Sequence, residues 1–272
     1  MNVTNSNAIL ALSSTVAVGH VGLSAIVPTL GLLGHSSAAL PTVVLSNHPG
    51  FAQTAGMEIP VGTLDAMVEA IAGNGWIGDF GTILTGYLPS VAHVAFAAGT
   101  IARVRAANPA ARYVCDPVIG DDPKGLYIDA AAAEAVRERL IPLADAVLPN
   151  RFELSYLADR PVTSPNEAIV AARALSTTQV IAKSTPLSGD WLRNIDIRTG
   201  SVTSVTVPRQ AGAPNGTGDM FSALIAAGWS LERATSALST IIAASGGDNH
   251  LAIIGASGQW LNARPVTLDS IG

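Results

Sequence analysis

Short apolar runs alternate with longer helical patterns along most of the chain, and this rhythm leaves few folds open. Residues 9–12, 39–45, 82–84, 113–115, 146–148 and 180–182 read as buried strands. Between them 21–33, 62–72, 90–107, 130–140, 153–158 and 166–176 read as helices, with Pro or Gly near several boundaries. Such strand-helix-strand succession builds a mainly parallel sheet covered on both faces. The predicted class is therefore α/β, a three-layer sandwich with helices on either side of a central sheet. After about residue 186 the texture changes: 190–197 and 201–207 look like an antiparallel pair turning at Thr199-Gly200, and helices over 217–229 and 231–244 close the fold. With no linker, repeat or low-complexity tract, residues 1–272 are expected to form a single domain. Ligands of such sheets gather at the carboxyl ends of the strands.

Composition narrows the possible partners. At 49% hydrophobic and 13% charged residues the chain can bury a large core, which excludes disorder as its main state. A net charge of -5 without any basic run argues against a nucleic-acid groove or an anionic membrane surface, so a small molecule is the expected partner. The single Cys115 makes no internal disulfide and fits a reducing compartment. The apolar segment 8–22 has no Lys or Arg before it and flows into another apolar helix, so it does not read as a secretory signal. Elsewhere Pro28, Gly31, Gly34 or charges interrupt apolar runs before the roughly 20 residues that a membrane span needs. A soluble, cytoplasmic protein is expected.

The tetrad Gly216-Thr217-Gly218-Asp219 sets a carboxylate between a glycine-flanked turn and an apolar helix. The first turn of a helix carries backbone N–H groups without intrahelical partners, and glycines let an anion approach them closely. Phosphoryl transfer is the chemistry this suggests, with the N–H groups neutralising charge and Asp219 accepting a hydroxyl proton. The plainer alternative is a capped helix start.

Other motifs fail on context. Residues 73–78 match GxGxxG but follow a helix and precede a strand, the reverse of the dinucleotide-binding order. Neither a Walker A sequence, nor a GxSxG elbow, nor His or Cys at zinc-ligand spacing is present. Three constellations instead agree with a phosphotransferase. Asp116 leaves a buried strand into a Gly/Pro/Asp-rich loop and could hold Mg²⁺ directly or through water, or else serve as a turn residue before Pro117. Asn150 and Glu153 open a helix, where they could act on metal-bound water and phosphate or simply form a capping box. The segments 13–22 and 46–51 bring hydroxyl, imidazole and aromatic groups to two strand ends, enough to line a pocket for a flat polar ring.

These residues carry a resemblance. The chain resembles the pyridoxal kinases of the ribokinase-like superfamily in the order and spacing of its motifs: Ser14 followed by Gly19-His20-Val21-Gly22, SNHPGF at 46–51, GYL at 86–88, YVCDPVIGD at 113–121, PNRFE at 149–153, Lys183, and GTGD at 216–219. The resemblance implies a ribokinase-like fold and transfer of phosphate from ATP, with Mg²⁺, to the 5′-hydroxyl of pyridoxal. It matches Asp219 to the general base and Gly216, Thr217 and Gly218 to the anion hole. Asp116 and Glu153, with Asn150, match positions near Mg²⁺ and the ATP phosphates, and Lys183 with Ser204, Val205, Thr206 and Val207 matches nucleotide-contacting positions. Ser14, His48 and Tyr87, together with Asp219, match the vitamer site, and residues 120–127 match a flexible segment that covers the phosphates. A homodimer is implied as well.

Phe51 stands where the family often has Tyr, and Gln53-Thr54-Ala55-Gly56 replaces a more aromatic and basic stretch. The loop over 120–125 most resembles the bacterial branch, including its pyridoxal-preferring members, which points to lower activity on pyridoxine and pyridoxamine. Two alternatives stay open: a sibling kinase of the same fold acting on hydroxymethylpyrimidine, and a protein that binds B6 vitamers without turnover.

Overall fold

The computed structural model describes residues 8–187 and 189–270. Its strands are β1 (Ala8–Val16), β2 (Ser37–Leu45), β3 (Gly56–Glu58), β4 (Phe80–Thr85), β5 (Arg112–Cys115), β6 (Gly120–Asp121), β7 (Gly125–Leu126), β8 (Ala146–Val147), β9 (Gln179–Pro186), β10 (Trp191–Arg198), β11 (Ser201–Pro208) and β12 (Asp269–Ser270). The helices are α1 (Leu23–Leu32), α2 (Val61–Gly73), α3 (Val91–Ala107), α4 (Ala130–Ala135), α5 (Arg151–Leu157), α6 (Pro165–Ala174), α7 (Thr217–Ala226), α8 (Leu231–Ser245) and the short α9 (Ser257–Trp260).

Ten strands form one sheet in the order β12-β11-β10-β9-β8-β5-β4-β1-β2-β3. The six from β9 to β2 in that order run parallel, while β3, β10, β11 and β12 join antiparallel at the two edges. β1 shows why the inner strands are apolar at successive positions. Ala8, Leu10 and Leu12 face one layer, against Leu64 and Val68 of α2 and Val94, Phe96 and Ile101 of α3. Ile9 and Ala11 face the other, against Leu23, Ile26 and Leu30 of α1 and the buried side of α7 and α8. A third cluster packs α5 and α6 onto β9 and β10 through Leu154, Ala168, Ile169, Val180 and Ile195. Helices thus cover both faces, as the alternation of the sequence predicts.

The structure departs from the sequence reading mainly at element ends. β1 continues through Val16, so Ser13 and Ser14 lie on the strand rather than in a loop after it. The helical segment at 130–140 changes pitch, with a π turn over Val136–Leu140. Helix α7 stops at Ala226, three residues short of the expected 229, with Gly228 at φ 84 just beyond it. The reversed GxGxxG is a helix-to-strand connection, running from the end of α2 through a 3-10 turn at Ile77–Asp79 into β4. No helix among the described residues is long and apolar enough to cross a membrane.

Candidate active site

The parallel strands deliver the site residues to one end of the sheet, at or near their carboxyl termini. Ser14 lies near the carboxyl end of β1, His48 and Tyr87 follow β2 and β4, Asp116 follows β5, Asn150 follows β8, and Lys183 lies on β9. The first turn of α7 arrives at the same end.

Two glycine turns interlock there. Gly216, the N-cap of α7, has φ 93, and a Cβ on it would stand 1.7 Å from the His20 carbonyl oxygen. Gly22, the N-cap of α1, has φ 56, and a Cβ would stand 2.1 Å from the Ser14 carbonyl oxygen. Glycine is required at both positions by conformation and by space. The loop before α1 therefore lies directly on the turn before α7, and the Gly22 backbone N–H reaches the Asp219 carboxylate. Burial raises the pKa of Asp219 to about 6, with the Asp116 charge adding to the rise and the Gly22 N–H and Lys183 opposing it.

Behind Asp219 sits a buried charged cluster. Asp116 is 2% exposed and uses both oxygens: Lys183 Nζ donates to Oδ1 at 2.6 Å and Ser222 Oγ donates to Oδ2 at 2.5 Å. Burial alone would lower the Lys183 pKa, but Asp116 and Glu153 outweigh it and hold the ammonium above the ordinary lysine value. Lys183 Nζ also lies 3.7 Å from where a Cβ on Gly218 would be, beside the α7 turn. Asn150 and Glu153 form the full capping box of α5: Glu153 N–H donates to Asn150 Oδ1 at 2.9 Å, and Asn150 N–H donates to Glu153 Oε2 at 2.7 Å. Asn150 Nδ2 then donates to the Gly120 carbonyl at 2.8 Å, tying α5 to the hairpin β6–β7. Burial pushes the Glu153 carboxyl up to about 8 against the pull of Lys183.

These groups open onto a cavity of about 240 Å³ that Asp116, Asn150, Glu153, Lys183, Thr217, Gly218 and Asp219 line together. The segment over 120–127 forms the hairpin β6–β7 and contributes Asp121 and Tyr127 to the same cavity. An ion pair between Asp122 and Arg151 ties it to α5. Among the described residues no group of three or more His, Cys, Asp or Glu converges as a ready-made metal centre. With both Asp116 oxygens already accepting, a divalent ion here would rest mainly on Glu153, on water and on ligand phosphates.

The groups expected around a ring, Ser14, His48 and Tyr87, are not among the residues that line this cavity. His48 Nδ1 accepts from the Gly50 N–H at 3.0 Å, which in the neutral ring leaves the proton on Nε2. Burial, then Lys124, lowers the His48 pKa and favours that neutral form. Nδ1 thus pins the turn before Gly50, and Nε2 carries the proton that a ligand could accept. Tyr87 is half-buried, with its backbone N–H on Ser13 Oγ at 3.1 Å.

Not every expected residue reaches the cavity. Val205 is fully buried in the core beneath α7 and α8, Ser204 Oγ is buried without a partner, and Thr206 accepts from Arg193 Nε at 3.1 Å. Val207 packs at the rim of that same core. None of the four lines the cavity; the antiparallel neighbour β10 does so instead through Asn194, whose Oδ1 accepts from the Ser184 N–H at 2.8 Å. Sequence reasoning also missed Ser222, although its position three residues after Asp219 puts both on one face of α7. A larger cavity of about 460 Å³ lies at the opposite end of the sheet, lined by Arg112, Gln179, Asp196 and Arg198 among others. Several of its polar groups bond to one another, with Gln179 bridging Arg112 and Asp196, and the start of α8 at Ser230 and Leu231 forms part of its wall.

Comparisons with known proteins identify the family. The family model described as phosphomethylpyrimidine kinase matches residues 22–244. Pyridoxal kinase PdxY of Rubrobacter xylanophilus is 40% identical over 164 residues, which are 60% of this chain and 57% of that protein. Pyridoxal kinase PdxY of Corynebacterium diphtheriae is 33% identical over 233 residues, covering 83% of this chain and 82% of that protein. The structure of pyridoxal kinase from Leishmania donovani in complex with ADP and pyridoxine superposes with a TM-score of 0.91 at 30% identity, over 98% of this chain and 100% of that one. Fold and sequence similarity together place this chain in the pyridoxal kinase family of ribokinase-like kinases.

Proposed function

We propose that this protein transfers the γ-phosphoryl group of ATP to the 5′-hydroxyl of pyridoxal, giving pyridoxal 5′-phosphate. The observation that carries the reading is Asp219: a carboxyl with its pKa raised to about 6, in the first turn of α7, flanked by the Gly216–Gly218 turn on one side and Lys183 on the other. Such a group is ionised at neutral pH yet basic enough to accept a proton. The relatives named for pyridoxal, and the neighbour solved with ADP and pyridoxine, support the same substrates.

In this reading the vitamer hydroxyl lies between Asp219 and the turn. Its oxygen attacks the γ-phosphorus while Asp219 takes its proton, and the bond to the β-phosphate oxygen breaks to release ADP. Backbone N–H groups at the start of α7 and the Lys183 ammonium meet the charge on the transferred group. Asp116 and Ser222 hold Lys183 in place. Asp116, Glu153 and Asp219 line the cavity with Lys183, and since Asp116 already accepts from Lys183 and Ser222, Glu153 is the carboxyl on that wall left to face a divalent cation. Glu153 and Asn150 would hold Mg²⁺ through water, with Asp116 behind them. When bound, Mg²⁺ neutralises phosphate charge. The β6–β7 hairpin would exclude water that competes with the vitamer hydroxyl. The family resemblance further supports a single-domain homodimer acting in the cytoplasm.

A second reading, phosphorylation of a hydroxymethylpyrimidine, draws on the description of the matching family model. Asp219→Asn tests the mechanism common to both. Turnover should fall roughly 10²–10⁴-fold while ATP still binds, as measured by steady-state kinetics and calorimetry. Near-normal turnover would remove Asp219 as the base.

A further inference from the structure

The turn after α8 brings a third imidazole to the ring side of the site. His250 forms an isolated parallel bridge with Asn215, the residue just before Gly216. Its ring lies 5.9 Å from the Phe51 ring and tilted 41° to it. A Cβ on Gly19 would stand 2.8 Å from His250 Nδ1, so that loop accepts only glycine while His250 is in place. His20, His48, Phe51, Asn215 and His250 line one small pocket, and His20 Nδ1 is buried there without a hydrogen-bond partner. The same loop touches Asp219 through Gly22 and the α7 turn through His20. This pocket therefore adjoins the start of α7 and Asp219 through the loop 19–22.

We propose that His250 is a substrate-binding residue, whose imidazole, backed by Phe51 and His20, hydrogen-bonds a polar substituent of the phosphoryl acceptor's ring and sets selectivity among acceptors. The inference rests on the kinase reading given above. Burial and the neighbouring His250 both lower the His20 pKa, which keeps the pair from carrying two positive charges. A ring carbonyl accepts from an imidazole N–H, whereas a ring ammonium can only donate to the unprotonated nitrogen, so the two substituents need opposite tautomers or ring orientations and a fixed imidazole tells them apart. Selectivity should therefore favour pyridoxal over pyridoxamine, and His250 should carry part of the difference.

Two variants separate binding from packing. His250→Leu keeps bulk against Phe51 and removes the polar atoms, whereas His250→Gln keeps a donor and an acceptor. Michaelis constants are measured for pyridoxal, pyridoxamine, hydroxymethylpyrimidine and ATP, with melting temperatures alongside. The expected result is a rise of about ten-fold in the constant for pyridoxal with His250→Leu, a smaller change for pyridoxamine, and ATP within two-fold. His250→Gln should recover most of the loss. Wild-type constants for pyridoxal and ATP retained in His250→Leu would overturn the proposal, as would equal losses with Leu and Gln or a parallel rise for ATP. If the wild type phosphorylates only hydroxymethylpyrimidine, the vitamer reading fails by itself, and the same comparison on that acceptor decides the role of His250.

Discussion

A carboxylate can act as a base only over the pH range in which it is ionised. Burial raises Asp219 to about 6, so the protonated, inactive form gains population as pH falls through 6. The rate should drop up to ten-fold per unit below that point. A pH profile of kcat with its acid limb near 6 is expected; a limb at 4 or lower would mean that the base is not held in this environment. Asp116 presents a different case. Its ion pair with Lys183 is buried, with side chains 3% and 12% exposed, and removing one partner from such a pair costs about 3–5 kcal/mol because the other is left uncompensated. Asp116→Ala should lower stability by that order in urea unfolding and reduce turnover as Lys183 loses its anchor. A change within about 0.5 kcal/mol, the range of an ordinary surface substitution, would contradict the role assigned to the pair.

Helix α7 shows how one element can be legible in its role and only partly in its detail. The tetrad before an apolar helix was sufficient to place the helix start and a carboxyl in its first turn, because glycine and Asp are favoured where helix N–H groups lack intrahelical partners. What the sequence did not display is the His20 carbonyl packed on Gly216. Gly216→Ala would put a Cβ 1.7 Å from that oxygen and force a left-handed residue into an unfavourable conformation, whereas a Cβ on Gly218 meets only the Lys183 ammonium at 3.7 Å. Gly216→Ala should therefore cost roughly 10²-fold in kcat/KM by displacing the turn, and Gly218→Ala clearly less. Equal losses would mean that close approach of the substrate, not the packing of the two loops, demands glycine at both. The expected nucleotide contacts over 204–207 show the opposite limit. Which strand of the pair reaches the cavity depends on register and sheet position, which local pattern does not encode: Val205 packs into the core, and its register partner Asn194 on β10 lines the cavity on the same face. The short strands β3, β6, β7 and β12 are two or three residues long, too short for any period to show.

At the scale of the molecule, the long buried strands were readable because both of their faces are covered, and that same parallel arrangement gathers Ser14, His48, Tyr87, Asp116, Asn150, Lys183 and Asp219 from across the sequence onto one end of the sheet. Neither the Lys183–Asp116–Ser222 chain nor the contact of His250 with Phe51 has a local signature, since each joins segments far apart in sequence. The proposed function assigns phosphate to one wall of the site and a ring to another, and the identity of the ring is its central claim. The most direct test is a coupled ADP-release assay with Mg²⁺ and ATP over pyridoxal, pyridoxine, pyridoxamine and hydroxymethylpyrimidine, with the product identified by mass and by the position of its phosphate. The account predicts the highest kcat/KM for pyridoxal, with one phosphoryl group added at the 5′-oxygen. A preference for hydroxymethylpyrimidine, or no ADP release that depends on any B6 vitamer, would contradict it.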